Sequence, residues 1–127
     1  MNQVNLMGNI TKDLEMRYLP NGTAILSFSI AVNRRYKDKD GKAVDKPSFI
    51  DCKAWAKTAE FINQYWSKGK RILLIGRLEQ ETWQDKESGK NRSKIVVIVD
   101  KVFFTESAKK DAPQEVTPEE AGMGDVI

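Results

Sequence analysis

Read as extended chain, Phe49 to Lys57 (FIDCKAWAK) separates into two unlike faces, because successive side chains of a strand point to opposite sides. One face carries Ile50, Cys52, Ala54 and Ala56; the other carries Phe49, Asp51, Lys53, Trp55 and Lys57. The first is small and apolar and belongs on a core. The second sets two large aromatics among lysines where water is expected. Aromatic faces stack on bases and ammonium groups pair with phosphates, so the pattern suits a platform for single-stranded nucleic acid. It equally suits two half-buried aromatics with lysines that lay their stems along them and keep their charges wet.

A chain of 127 residues, 40% of them hydrophobic, is expected to form one domain with a modest core. There is no histidine and a single cysteine, Cys52. That excludes a zinc site of the usual Cys/His type, a Ser-His-Asp triad and the commonest general base. No GxxxxGK[ST] or GxGxxG phosphate loop occurs. The carboxylates are interleaved with lysines, as on a solvated surface. No catalysis, cofactor or metal is therefore expected. Cys52 falls on the inward face of its strand and reads as a small core residue. No apolar run reaches the length needed to span a bilayer. The start, MNQVNLMGN, lacks a basic region followed by an apolar stretch, so no signal peptide is expected and a cytoplasmic location is the default.

Charge is unevenly distributed. Residues 1–106 carry 19 Lys+Arg against 13 Asp+Glu, whereas residues 107–127 carry Lys109 and Lys110 against five acids. A basic body attracts a polyanion. The acidic end, with Pro113 and Pro118 and few apolar residues, is expected to be disordered.

Along the body, Gln3 to Ile10 reads as a strand and Leu19-Pro20-Asn21-Gly22 as a turn. Ala24 to Asn33 alternates cleanly, with Ala24, Leu26, Phe28, Ile30 and Val32 toward the core and Ile25, Ser27, Ser29, Ala31 and Asn33 forming a smooth outer face. Arg34-Arg35-Tyr36-Lys37 leads into KDKDGKAVDK, Lys37 to Lys46, which is dense in charge around Gly41 and reads as an exposed, mobile hairpin loop. After FIDCKAWAK, the spacing of Phe61, Ile62, Tyr65 and Trp66 predicts a helix from Lys57 to Ser67, stopped near Gly69. Trp66 is read as packing. Arg71 to Trp83 is a long strand, Gln84 to Ser93 a second charged loop, and Ile95 to Val99 a strand apolar on both faces. That excess, with Leu73 and Ile75, suggests a subunit interface. Three strands, a helix and two strands give the connectivity of the OB-fold, a small Greek-key barrel.

The residues resemble a known family. VNLMGNITKDLEMRYLPNGTAILSFSIAVNR is similar to the opening of bacterial single-stranded DNA-binding proteins. It has their Gly-Asn pair (Gly8-Asn9) and their Asp-x-Glu-x-Arg-Tyr-x-Pro-x-Gly run (Asp13, Glu15, Arg17, Tyr18, Pro20, Gly22). The aromatic-ended strand, the helix closing in Lys68-Gly69, the Ile75 to Leu78 segment and Trp83 follow in family order, so the resemblance covers residues 1–104. It implies an all-β chain with one helix: a five-stranded OB-fold barrel over residues 1–106, assembled as a homotetramer; the short acidic tail at 107–127, expected to be disordered from its composition, departs from the family's usual long Gly/Pro/Gln-rich linker.

The resemblance also implies a role, namely sequence-nonspecific binding and protection of single-stranded DNA in replication, recombination and repair. The family's stacking positions fall on Tyr36, Phe49, Trp55 and Trp83. For the phosphates the candidates are Arg34, Arg35, Lys53, Lys57 and Lys70, with Lys86, Lys90, Arg92 and Lys94 from the second loop. Glu79 and Glu81 stand on the Trp83 face, where family members are often basic, and Asp51 sits likewise on the platform face; acids there repel phosphate unless neighbouring lysines pair with them. Family tails end in an acidic Pro-Phe tip that docks on replication and repair proteins. Here Asp125, Val126 and Ile127 stand in its place, so partner recruitment is either reduced or tuned to another partner. An OB-fold replication accessory, an RNA-binding module, or a scaffold docking through its tail are the alternatives.

Overall fold

A computed structural model describes residues 1–105 and the backbone of residues 114–116. The alternation expected from Ala24 onward gives a long strand, β3 (Ala24–Lys37), with Ala24, Leu26, Phe28 and Ile30 buried on one side. It pairs antiparallel along its whole length with β4 (Ala43–Trp55). Preceding them are β1 (Val4–Ile10) and the short β2 (Glu15–Tyr18). Following them are the helix α1 (Ala56–Tyr65), β5 (Arg71–Gln84), β6 (Asn91–Phe104) and β7 (Gln114–Val116).

Strand order runs β1-β5-β6-β4-β3, and β1 returns to β3 through Asn9↔Ala31 and Ile10↔Ile30, which closes a five-stranded barrel. The one parallel contact joins β4 to β6 at Cys52↔Val97 and Lys53↔Ile98. This is the OB-fold predicted from the element order. Closure gives each of the five barrel strands a neighbour on both sides. Gly8 sits where β1 crosses from β5 to β3, and a Cβ there would lie 2.5 Å from the Ala31 carbonyl oxygen. The Gly-Asn pair thus marks a crossing that tolerates no side chain.

The interior is filled by Ile10, Leu26, Phe28, Ile30, Ile72 and Leu74 together with Val97 and Val99. Helix α1 plugs one end with Ala59, Phe61 and Ile62, all fully buried. Each large buried side chain contributes about 1.5–3 kcal/mol. Trp66 extends the plug: its ring stacks on Phe104 at 4.8 Å and its indole N–H donates to the Arg71 carbonyl at 3.0 Å. Cys52 is buried, as expected. Burial, helped by the neighbouring Asp51 carboxylate, pushes its thiol up to about 12.

Several boundaries differ from the sequence reading. β2 was not expected; Glu15–Tyr18 pairs with Ala24–Ser27 across the predicted Leu19–Gly22 turn. Strand extends into both charged loops, over Lys37 and residues 43–46 of the first and Gln84 and residues 91–93 of the second, which leaves residues 38–42 and 85–90 as the turns. Asp38 takes the N–H groups of Asp40 and Lys42 on its side chain, each at 2.9 Å, and Asp85 does the same for Glu87 at 2.9 Å. Ladder hydrogen bonds need no apolar residue, so the hydrophobic pattern stopped short of these arms. β4 ends at Trp55 because Ala56 adopts φ 54°, a left-handed conformation that breaks the extended run. Ala56 and Lys57 therefore open the helix instead of closing the platform strand. The helix stops at Tyr65, earlier than Ser67, because Trp66 is extended.

Val96 and Ile98 are buried within the chain, whereas Ile95 of the same strand is 58% exposed. A second apolar strip runs over exposed Met7 and half-buried Leu73 and Ile75 of the β1–β5 pair. The tail expected over 107–127 lies outside the described residues, as do Asp125, Val126 and Ile127, except that Gln114–Val116 pairs with Val102–Phe104 of β6. Among the described residues no helix is long and apolar enough to cross a membrane.

Candidate nucleic-acid interface

Residues directly opposite in a ladder share a face, so the register defines the outer surface of the barrel. On β3 and β4 this side carries Ile25, Ser27, Ser29 and Ala31 beside Trp55, Lys53, Asp51 and Phe49, with Ile25 and Ser29 buried beneath their neighbours. On β5 and β6 it carries Arg77, Glu79, Glu81 and Trp83 beside Ile98, Val96, Lys94 and Arg92, with Ile98 and Val96 buried. The parallel pairing Lys53↔Ile98 joins the two halves into one continuous face.

Three of the four predicted stacking residues lie on it with their rings open to solvent: Phe49 is 69% exposed, Trp55 43% and Trp83 45%. Large aromatics exposed to this extent on one face are costly unless something covers them. Tyr36 is different. It is 41% exposed, but its register places it on the same side of the ribbon as Phe28 and Ile30, opposite to Phe49. The Arg34 guanidinium lies 5.4 Å from its ring centroid, a cation–π contact that occupies one face of the ring. The structure thus puts Tyr36 on the projecting β3–β4 arm and not on the platform.

The cations divide into three groups. Lys53 and Lys94 occupy the middle of the face, each held by an acid: Lys53 Nζ by Glu81, and Lys94 Nζ by Asp51 at 3.6 Å. The departures from the family pattern are therefore paired. Glu79 is likewise taken up, by Arg77 at 3.0 Å. Arg34, Arg35, Lys86, Lys90 and Arg92 belong to the arms. Arg35 lies 3.9 Å from Asp45, and Arg92 donates to Asp85 at 2.9 Å. The Glu87 N–H, then Arg92, hold the Asp85 carboxyl below its ordinary range. Lys70, outside both arms, reaches the Tyr65 carbonyl at 3.4 Å.

Lys57 stands alone. In the first turn of α1 its Nζ is buried with no hydrogen-bond partner among the described residues. A desolvated ammonium without a partner is costly, and the first turn of a helix disfavours positive charge. An anion would relieve both.

A cleft in the middle of the face is lined by Ser27, Ser29, Asp51, Lys53, Lys94 and Val96 together with Lys12, Asp13 and Glu15. Lys12 was not among the sequence candidates. It is an isolated lysine between β1 and β2, and only the curl of that connection brings it to the face. The small serines of β3, read as a smooth outer strand, leave room for close approach. Among the described residues no cluster of three or more Cys, Asp or Glu is arranged to hold a metal ion.

Comparison with known proteins agrees with this geometry. The single-strand binding protein family matches residues 1–105. A single-stranded DNA-binding protein of Wolinella succinogenes is 45% identical over 106 residues, covering 84% of this chain and 65% of the relative. One from Helicobacter pylori is 39% identical over 113 residues, covering 89% and 62%. The chain thus spans a little under two thirds of the length of these relatives. Among solved structures, a deletion mutant of the single-stranded DNA binding protein from Thermus aquaticus superimposes with a TM-score of 0.73. It is 28% identical, and the match covers 91% of this chain and 54% of that one. With the closed barrel, the crossing at Gly8 and the family match over residues 1–105, the chain belongs to the single-strand binding protein family.

Proposed function

We propose that this chain binds single-stranded DNA without regard to sequence and protects it during replication, recombination and repair. The observation that carries the reading is the exposure of Phe49, Trp55 and Trp83 together on one face of the barrel. Bases stack on these three rings, with Tyr36 meeting the strand separately on its arm. Arg34, Arg35, Lys57, Lys70, Lys86, Lys90 and Arg92 surround the platform and take phosphates. Binding therefore combines stacking with counterion release and weakens as salt rises. The chain performs no chemistry and acts in the cytoplasm, where the DNA is. It works as a homotetramer that buries the Met7, Leu73 and Ile75 strip, and residues Asp125 to Ile127 serve as a contact for replication or repair proteins.

The test is tryptophan fluorescence titrated with oligo(dT), with a duplex of equal length, and with oligo(rU), at low and high salt. Trp66 is buried and supplies a constant background. Quenching by the DNA single strand alone, diminished by salt, is the expected result. An equal response to duplex, or none, would overturn the reading, and tighter binding of oligo(rU) would make it an RNA binder.

A further inference from the structure

The middle of the platform is electrically closed. Lys53 and Asp51 alternate along β4 on the outer face; Glu81 of β5 and Lys94 of β6 stand directly opposite each other in their ladder. Lys53 pairs with Glu81, and Asp51 pairs with Lys94. The four therefore form a square of alternating sign and zero net charge. It lies between Phe49 and Trp55 on one side and Trp83 on the other. Its Lys53–Glu81 half is not a rim feature: these side chains are only 17% and 28% exposed, so salt screens them less than charges on the arms, whereas Lys94 and Asp51 are 45% and 56% exposed and form the weaker, more screened pair. A phosphate that approached Lys53 would have to displace a carboxylate already in place, and one that approached Lys94 would compete with the Asp51 carboxylate.

We infer that Asp51 and Glu81 withhold Lys53 and Lys94 from the DNA backbone and so set the affinity and salt dependence of the platform. The centre acts as a neutral stacking surface, and counterion release is carried by the arms and by Lys57 and Lys70. This rests on the proposed binding of single-stranded DNA and concerns how strongly that site holds its ligand. It also gives the departures from the family pattern a purpose: a strand held mainly by its bases at the centre is released more readily than one clamped there by two lysines.

The arithmetic is simple. For single strands the slope of log K against log salt is about −0.7 per phosphate neutralised. Freeing one lysine therefore steepens the slope by about 0.7 and tightens binding about fivefold at 0.1 M salt relative to 1 M. The experiment measures oligo(dT) binding by fluorescence anisotropy across that salt range for the full chain and for Asp51→Asn, Glu81→Gln, Lys53→Gln and Glu60→Gln. Glu60→Gln makes the same change in net charge on α1, outside the square of four. Asp51→Asn and Glu81→Gln are expected to steepen the slope and bind tighter at low salt, while Glu60→Gln keeps the original slope. Lys53→Gln is expected to keep it too, because that lysine releases no counterion in the parent. A thermal melt of each variant separates unfolding from lost binding. Parent-like slopes in both acid variants, a similar change in Glu60→Gln, or a shallower slope in Lys53→Gln would each overturn the inference while leaving the binding itself intact. No binding of oligo(dT) by the parent would instead overturn the functional reading, and this inference with it.

Discussion

Replacing Phe49 by alanine separates the contribution of stacking from that of folding. Phe49 lies on the outer face of β4 opposite Ala31, and with 69% exposure only about a third of its surface is covered in the free protein. Full burial of a phenylalanine is worth about 1.5–3 kcal/mol, so the share lost from stability is expected to stay under about 1 kcal/mol. Stacking on a base is worth about 1–3 kcal/mol. At a factor of ten per 1.4 kcal/mol, Kd for oligo(dT) rises by about 5- to 150-fold. The side chain is uncharged, so the salt slope should not change. The assay is anisotropy of labelled oligo(dT) at several salt concentrations, with a thermal melt of the same samples. An unchanged Kd would show that this ring does not meet a base, and the reading of β4 as a platform would fail. A higher Kd with an altered salt slope would mean that the substitution had moved the charged groups, and the stacking argument would fail for that reason.

Four further perturbations test other parts of the structure. Lys57→Met removes a buried ammonium with no hydrogen-bond partner among the described residues. It should raise stability by about 1–3 kcal/mol, the usual cost of an unsatisfied buried donor, while weakening oligo(dT) binding; lower stability in denaturant melts would refute the account of this residue. Ala56→Gly relieves a residue held at φ 54°. The left-handed conformation costs about 1–2 kcal/mol and the added chain freedom about 0.4–1 kcal/mol, so a small gain in Tm is expected, and a loss would argue against the strain. Gly76→Ala would place a Cβ 2.2 Å from the Ile98 carbonyl oxygen, where the β5–β6 register shifts. It should cost about 1–3 kcal/mol in chemical denaturation.

The last concerns Cys52. Its thiol is pushed up to about 12 in the fold, so at pH 8 it should resist a thiol reagent until the protein is unfolded. A raised pKa means that the fold favours the neutral thiol. Its contribution to stability is then present below the unfolded thiol pKa, about 8.5, and is lost as pH rises from there through about 12. Rapid labelling of the native protein would contradict the burial.

The alternations in Ala24–Asn33 and Phe49–Trp55 were enough to give the barrel's core faces and the aromatic platform. A period of two with large residues on one side has one way to bury itself. The helix was legible for the same reason, from Phe61, Ile62 and Tyr65. The sequence alone therefore determined the fold class, and through its motifs the family. It did not determine the lengths of the two arms, because Arg34–Lys37 and Asn91–Lys94 are held by backbone hydrogen bonds that leave no mark in side-chain pattern. Nor did it determine the turn into α1, which depends on one dihedral at Ala56. Above all, the charges on the platform could be counted in the sequence but not paired. Lys53 is 28 residues from Glu81 and Lys94 is 43 from Asp51. Only barrel closure, with β4 laid against β6 and β6 against β5, brings them within reach of one another, and an electrostatic interaction depends on that distance.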